Sequence, residues 1–203
     1  MSSAKKIQIF KSATNVSILD IQSALHYHKR KNNNMIYKGN IIFIINEYGK
    51  SEIQLQAFLS KATTKMIMHS ILNYSFPQLF PNGFKSYGGT ISTGRARVLT
   101  INFEPDKQRF MFQIEEGQGV PTGAGGIKMS KREASVRTYI SLLDALEMAH
   151  EVLDFIRHQE LISLMKDEPL YSYYIPSAHM GVQNTVKMIF YDFFSVALHK
   201  KFK

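Results

Sequence analysis

The stretch VRTYISLLDALEMAHEVLDFI, Val136–Ile156, reads as a strand that runs through one serine into an amphipathic helix. Val136, Thr138 and Ile140 alternate with Arg137 and Tyr139, the period-2 pattern of a strand with two different faces. Ser141 is placed to cap the helix, with Asp144 in its favourable first turn. Leu142, Leu146, Ala149, Leu153 and Ile156 then recur at helical spacing. The same pattern stands earlier in the chain. Ala57-Phe58-Leu59-Ser60 matches Thr138-Tyr139-Ile140-Ser141, and His69, Ile71 and Leu72 match His150, Val152 and Leu153. The chain therefore reads as two copies of a unit in which several strands lead into one helix.

Working outward, the first copy spans about residues 5–75. Ile7–Lys11 is a short strand, and residues 16–28 alternate around Leu19, Ile21, Leu25 and Tyr27. Lys29–Asn34 is a hairpin tip, because Asn tolerates left-handed backbone. NIIFIINEY (40–48) is a buried strand, and Ile53, Leu55, Ala57 and Leu59 mark a fourth. Ser60 caps a helix to about Tyr74, with Met66, Ile67, Ser70, Ile71 and Tyr74 on its apolar side. FPQLFPNGFKSYGG (76–89) is rich in Pro and Gly and reads as a packed connector without a regular element. The second copy spans about 90–166, with strands around Arg97–Phe103 and Phe110–Ile114. GQGVPTGAGGIKMSKRE (117–133) reads as a long Gly-rich loop. Together the copies make a domain at 1–168 of class α+β, with two antiparallel sheets from a duplicated ββββα unit and two main helices. Residues 169–203 form an aromatic-rich tail carrying a further helix at 182–199.

Apolar residues make up 44% of the 203, enough for a sizeable core. There is no cysteine, which removes disulfides and thiolate chemistry and fits a reducing, cytoplasmic setting. No apolar run is long enough to span a bilayer, and MSSAKKIQIF lacks the apolar region of a secretory signal. The expected location is therefore the cytoplasm, that of the host if the gene belongs to a phage, and not the secretory route. Net charge is +9, from 25 Lys+Arg against 16 Asp+Glu. That balance suggests a polyanionic partner, nucleic acid first and an anionic membrane second. The helix from Leu142 concentrates acids (Asp144, Glu147, Glu151, Asp154, Glu160), so the cations fall on strands and turns.

The Gly-rich segment lacks the G-K-[ST] ending of a phosphate loop and does not match G-x-G-x-x-G. His26 and His28 share a strand face but have no third ligand at metal spacing. No G-x-S-x-G or paired-carboxylate arrangement frames a reaction. The sequence thus points to a non-enzymatic protein with no cofactor and no metal site. Sequence-tolerant strand binding needs cations for phosphates and aromatic faces for unstacked bases. The candidates are Phe10 and Lys11; Lys29 and Arg30; Tyr37 and Lys38; Arg95 and Arg97; Lys107 and Arg109; Lys128, Lys131 and Arg132; and Arg137 beside Tyr139. Phe110, Phe112 and Tyr27 alternate into the interior and read as core.

Two copies of four antiparallel strands followed by one helix, across about residues 7–165, resemble the Whirly family of single-stranded DNA-binding proteins. GRARVLTI (Gly94–Ile101) is similar in character to that family's strand-opening KGKAALTV segment. The resemblance implies two packed sheets, helices gathered at the centre of a homo-tetramer, and single-stranded DNA lying along sheet edges with little sequence preference. The expected role is protection or organisation of exposed strands in replication, repair or recombination. RNA binding or annealing, and a viral or organellar scaffold role, stand as alternatives.

Overall fold

In a computed structural model, residues 6–31, 34–48, 52–123 and 126–165 are described, with side chains for all but 26–38 and 163–165. The tail expected at 169–203, with its helix, lies outside the described residues. Strands β1 (Ile7–Ala13), β2 (Ser17–Lys31), β3 (Asn34–Glu47) and β4 (Ile53–Ser60) pair antiparallel in sequence order, and helix α1 (Lys61–Leu72) follows. After a short helix α2 (Phe76–Leu79), the plan repeats in β5 (Phe84–Thr90), β6 (Arg95–Glu104), β7 (Arg109–Pro121) and β8 (Ile127–Ser141), closed by α3 (Leu142–Met165). The duplicated ββββα architecture is thus as expected. Each sheet is a meander because short turns can join only antiparallel neighbours.

Alternation decides which side of each sheet is buried. In the first sheet Leu19 pairs with Ile45 and Ile45 with Leu55; Ile21 pairs with Phe43 and Phe43 with Ala57. In the second, the rows are Leu99–Ile114–Val136 and Ile101–Phe112–Thr138. These faces pack on each other. The Phe43 ring lies nearly parallel to that of Phe112, centroids 6.2 Å apart, and both are fully buried. Phe110 is buried as well, as expected.

Both helices start at the predicted serines. Ser60 Oγ accepts from the Thr63 amide at 3.1 Å. Ser141 Oγ accepts from the Asp144 amide at 3.0 Å, and the Asp144 carboxylate accepts from the Ser141 amide at 3.4 Å, a reciprocal cap. The buried faces keep the centre of the predicted stripes (Ile67, Ser70 and Ile71 on α1; Ala149, Leu153 and Ile156 on α3) and differ at their margins. On α1, Thr64, Ile67, Met68 and Ile71 face inward while Met66 and Tyr74 are exposed. On α3, Ala145 and Met148 are buried where Leu142 and Leu146 are only partly so. The helices pack on each other as well as on the sheets, so two surfaces choose the stripe. Lys61 and Lys65 of α1 both reach Glu160 of α3, at 2.7 and 2.8 Å.

Two segments are more regular than their composition suggested. The connector holds α2, whose Pro77 lies in the first turn where no helical N–H is needed, and then strand β5. The second sheet therefore begins at Phe84, not near residue 90. Phe76 packs against Phe80 and edge-on to Phe110, and Phe80 edge-on to Phe84, so the connector is packed, as expected. The Gly-rich segment is mostly the continuation of β7 and β8 as a hairpin, with bulges at Glu116/Gly117 and Gln118/Gly119. Its glycines serve close packing: a Cβ at Gly117 would lie 2.0 Å from the Lys131 carbonyl oxygen, and one at Gly119 2.6 Å from Ile127.

Truncating Phe112 removes the central contact between the sheets. Phe112→Ala is expected to lower the unfolding free energy by about 3–5 kcal/mol, whereas Phe58→Ala, on the outer face of β4, should cost far less. Urea denaturation of both variants checks this; equal losses would place the core elsewhere.

Candidate nucleic-acid interface

The face of the second sheet opposite the core is built by the same alternation. Its rows read Lys85–Thr100–Gln113–Arg137, Tyr87–Val98–Glu115–Ser135 and Asn102–Met111–Tyr139. Tyr87 is 67% exposed, so its ring is open to solvent on this face. Lys85 and Arg137 are exposed and make no ion pair with a described residue. The Arg109 guanidinium lies 3.9 Å from the Tyr139 ring centroid and also holds Glu104 at 2.8 Å, with Lys107 3.8 Å from the same carboxylate. This face therefore gathers Lys107, Arg109, Arg137 and Tyr139 from the sequence candidates. It adds Tyr87 and Lys85, which the sequence reading missed because they stood in the supposed connector. The signal that could have found them is the alternation of Phe84, Ser86 and Gly88 with Lys85 and Tyr87.

Other candidate arginines are engaged. Arg97 bonds Glu116; Arg95 bonds Glu116 at 2.8 Å and also Glu133, which in turn accepts from Gln118 at 2.8 Å. Arg132 bonds Glu115 at 2.7 Å. The cross-strand pairing of Arg97 with Glu116 makes this arrangement possible. Partly exposed pairs of this kind contribute only about 0–1 kcal/mol each, so a phosphate can compete for the guanidinium. Lys128 and Lys131 stand exposed on the β7–β8 hairpin, Lys131 near Glu133.

On the first sheet, Phe10 is partly buried against the core, while Lys11 beside it on edge strand β1 is exposed. β2 and β3 continue past the ends of β1 and β4 as a two-stranded ribbon, pairing Tyr27 with Lys38, His28 with Tyr37 and Lys29 with Ile36. Lys29, Arg30, Tyr37 and Lys38 thus fall on one ribbon; their side chains lie outside the described residues. Between the sheets, edge strand β8 faces the β1–β2 turn and the end of β3 across a cleft of about 670 Å³. Arg137, Tyr139, Gln113 and Ser135 line it on one side, Thr14, Ser17 and Glu47 on the other. Beside it, the buried Ser17 hydroxyl donates to Thr138 Oγ1 at 2.8 Å and ties the sheets together.

Two of the arginine-bound carboxylates, Glu116 and Glu133, are held more acidic than usual. Burial pushes the Glu116 carboxyl up, but bonds from Arg95 and Arg97 outweigh it and hold it below its ordinary value. Gln118 and Arg95 do the same for Glu133. A carboxylate depressed in the folded state adds stability above its unfolded pKa, about 4.3, and loses it as pH falls through the folded value. Wild-type stability is therefore expected to drop on acidification below about 4.3, with a shallower drop in Glu116→Gln. Thermal melts across that range measure it, and identical acid limbs would mean that Glu116 is not held by its arginines.

No sequence-family profile matches the chain, and no curated protein matches it by sequence. Solved structures do. WHY1 from Arabidopsis thaliana superposes with a TM-score of 0.52 at 7% identity, over 86% of this chain and 99% of that one. The plant transcriptional regulator PBF-2 gives 0.54 at 7% identity, over 84% and 92%. WHY3 from Arabidopsis thaliana gives 0.53 at 11%, over 84% and 100%. At such identities the likeness is one of fold, and over nearly the whole described domain this chain has a Whirly-like fold.

Proposed function

We propose that this protein binds single-stranded DNA without catalysing a reaction, and that it protects or organises exposed strands in replication, repair or recombination. The observation that carries the reading is the solvent face of the second sheet. There Lys85 and Arg137 are unpaired among the described residues, beside the exposed Tyr87 and the arginine-stacked Tyr139. Cations spaced across a sheet can follow a phosphate backbone while aromatic rings take unstacked bases, and neither needs a particular base. The Whirly-like fold supports the same reading, as does the net charge of +9. Lys11, the β2–β3 ribbon, Lys128 and Lys131 extend the basic track. Arg132 joins it when phosphate displaces Glu115, whereas Arg95 and Arg97 share the other side of β6 with Leu99 and Ile101.

The assembly we propose is a homo-oligomer, with a tetramer favoured, closed through the helices. Met66, Tyr74, Leu143, Leu161 and Ile162 are exposed on α1, α3 and the turn after α1, more apolar surface than an isolated protomer needs to show. Glu147, Glu151 and Asp154 share the outward side of α3, which keeps that helix away from the nucleic acid.

Titration with a short oligothymidine at rising salt tests the reading. Binding should weaken steeply, and a variant that makes one phosphate contact fewer should have a log–log slope shallower by about 0.7. Arg137→Glu is expected to weaken binding and flatten that slope; Tyr87→Ala should cost about 1–3 kcal/mol with the slope unchanged. No binding at low salt would sink the proposal. Oligouridine in the same titration tests RNA binding. For the assembly, Leu143→Asp should reduce the mass in solution, and a wild-type monomer would refute closure through the helices.

A further inference from the structure

The cleft between β8 and the β1–β2 turn contains hydrogen-bonding groups that the sheets leave unused. Glu47, near the end of β3, is partly exposed and makes no hydrogen bond or ion pair with a described residue, so its carboxylate offers only acceptors. Gln113 spends its amide N–H groups on Ser135 Oγ, at 3.0 Å, and on Glu115, at 3.3 Å, which leaves its carbonyl oxygen without a donor. Arg137 supplies an unpaired cation at the same cleft, and Tyr139 an aromatic wall. The hydroxyls of Ser135 and Tyr139 can donate or accept and therefore do not discriminate between bases. What is fixed is two unspent acceptors, the Glu47 carboxylate and the Gln113 carbonyl, beside the unpaired Arg137; Arg132, which also lines the cleft, is held by Glu115.

We infer that this cleft receives one unstacked nucleotide and selects bases carrying an exocyclic amino group over thymine. The inference rests on single-stranded binding at this sheet and adds a base preference to it. Cytosine presents its N4 amino group to an acceptor, whereas thymine presents O4, a carbonyl that an ionised carboxylate repels. Arg137 holds the phosphate and is blind to the base. Glu47 and Gln113 are then the specificity-determining residues, each acting through a proton donated by the base. The 670 Å³ of the cleft lies within the range of small-molecule sites, room enough for one nucleotide. Binding along the rest of the sheet stays sequence-tolerant, so the preference is modest and is set once per protomer.

The test compares short oligodeoxycytidine with oligothymidine of equal length at slightly alkaline pH, where cytosine is unprotonated and both strands stack weakly. The wild-type protein should bind the cytidine strand about five- to tenfold more tightly. Glu47→Gln keeps the side-chain size and presents an amide donor to thymine O4, so the ratio should fall to one or invert while oligothymidine affinity holds or rises. A melting curve confirms that the variant is folded, and Gln113→Met gives a second, independent loss of the ratio. Equal wild-type affinity for the two strands overturns the inference and leaves single-strand binding intact. A preference that survives both substitutions also overturns it. Failure to bind either strand at low salt refutes single-strand binding itself, and the inference falls with it.

Discussion

The contact between Phe43 and Phe112 is the constraint on which the rest of the molecule depends. Each ring sits mid-strand on the inward face of its sheet, and each is fully buried by the other sheet. Because strand residues alternate, putting these rings inward commits every second residue of eight strands to one side. Leu19, Ile21 and Ile45 join one inner face, and Leu99, Ile114 and Val136 the other. A slip of one residue in β7 would carry Phe110, Phe112 and Ile114 to the solvent face together. The outer face is therefore fixed by the core. Lys85, Tyr87, Arg137 and Tyr139 are displayed because their neighbours are needed inside.

The electrostatics follow from the same register. Arg97 stands opposite Glu116, and the bulge at Glu116/Gly117 lets Glu133 reach Arg95 as well. Charge that composition alone assigns to a partner is thus partly satisfied within the sheet. What remains unpaired among the described residues is a smaller set, headed by Arg137 and Lys85. Cross-strand carboxylates thus keep the arginines of this sheet from repelling one another.

Much of the fold was legible because its signals are local. Ser60 and Ser141 each cap their helix through an amide three residues on, a relation visible in the sequence itself. The period-2 runs in β2, β4, β6, β7 and β8 have correct faces for the same reason. The misreadings arose where glycine and proline carry two meanings. In Phe84–Thr90 they accompany an edge strand, which bonds on one side only and tolerates weak strand formers. At Gly117 and Gly119 they mark backbone packed against its neighbour, which no window of sequence displays. The helix stripes differ from expectation only at their margins, because α1 and α3 bury against each other and not only against sheets.

The sequence by itself determined the order of elements, the duplication, the caps and the basic character, since each follows from composition or from neighbours a few residues apart. Which cations are free was decided only by tertiary structure. Arg95 and Arg137 look alike in the sequence, yet one is held by Glu116 and Glu133 and the other stands open beside Tyr139 and the cleft. The cleft itself has the same origin. Glu47 and Arg137 come within its walls because two sheets, separately patterned, meet across Ser17 and Thr138. A hydrogen bond between residues 121 positions apart is set by packing, which no local pattern encodes.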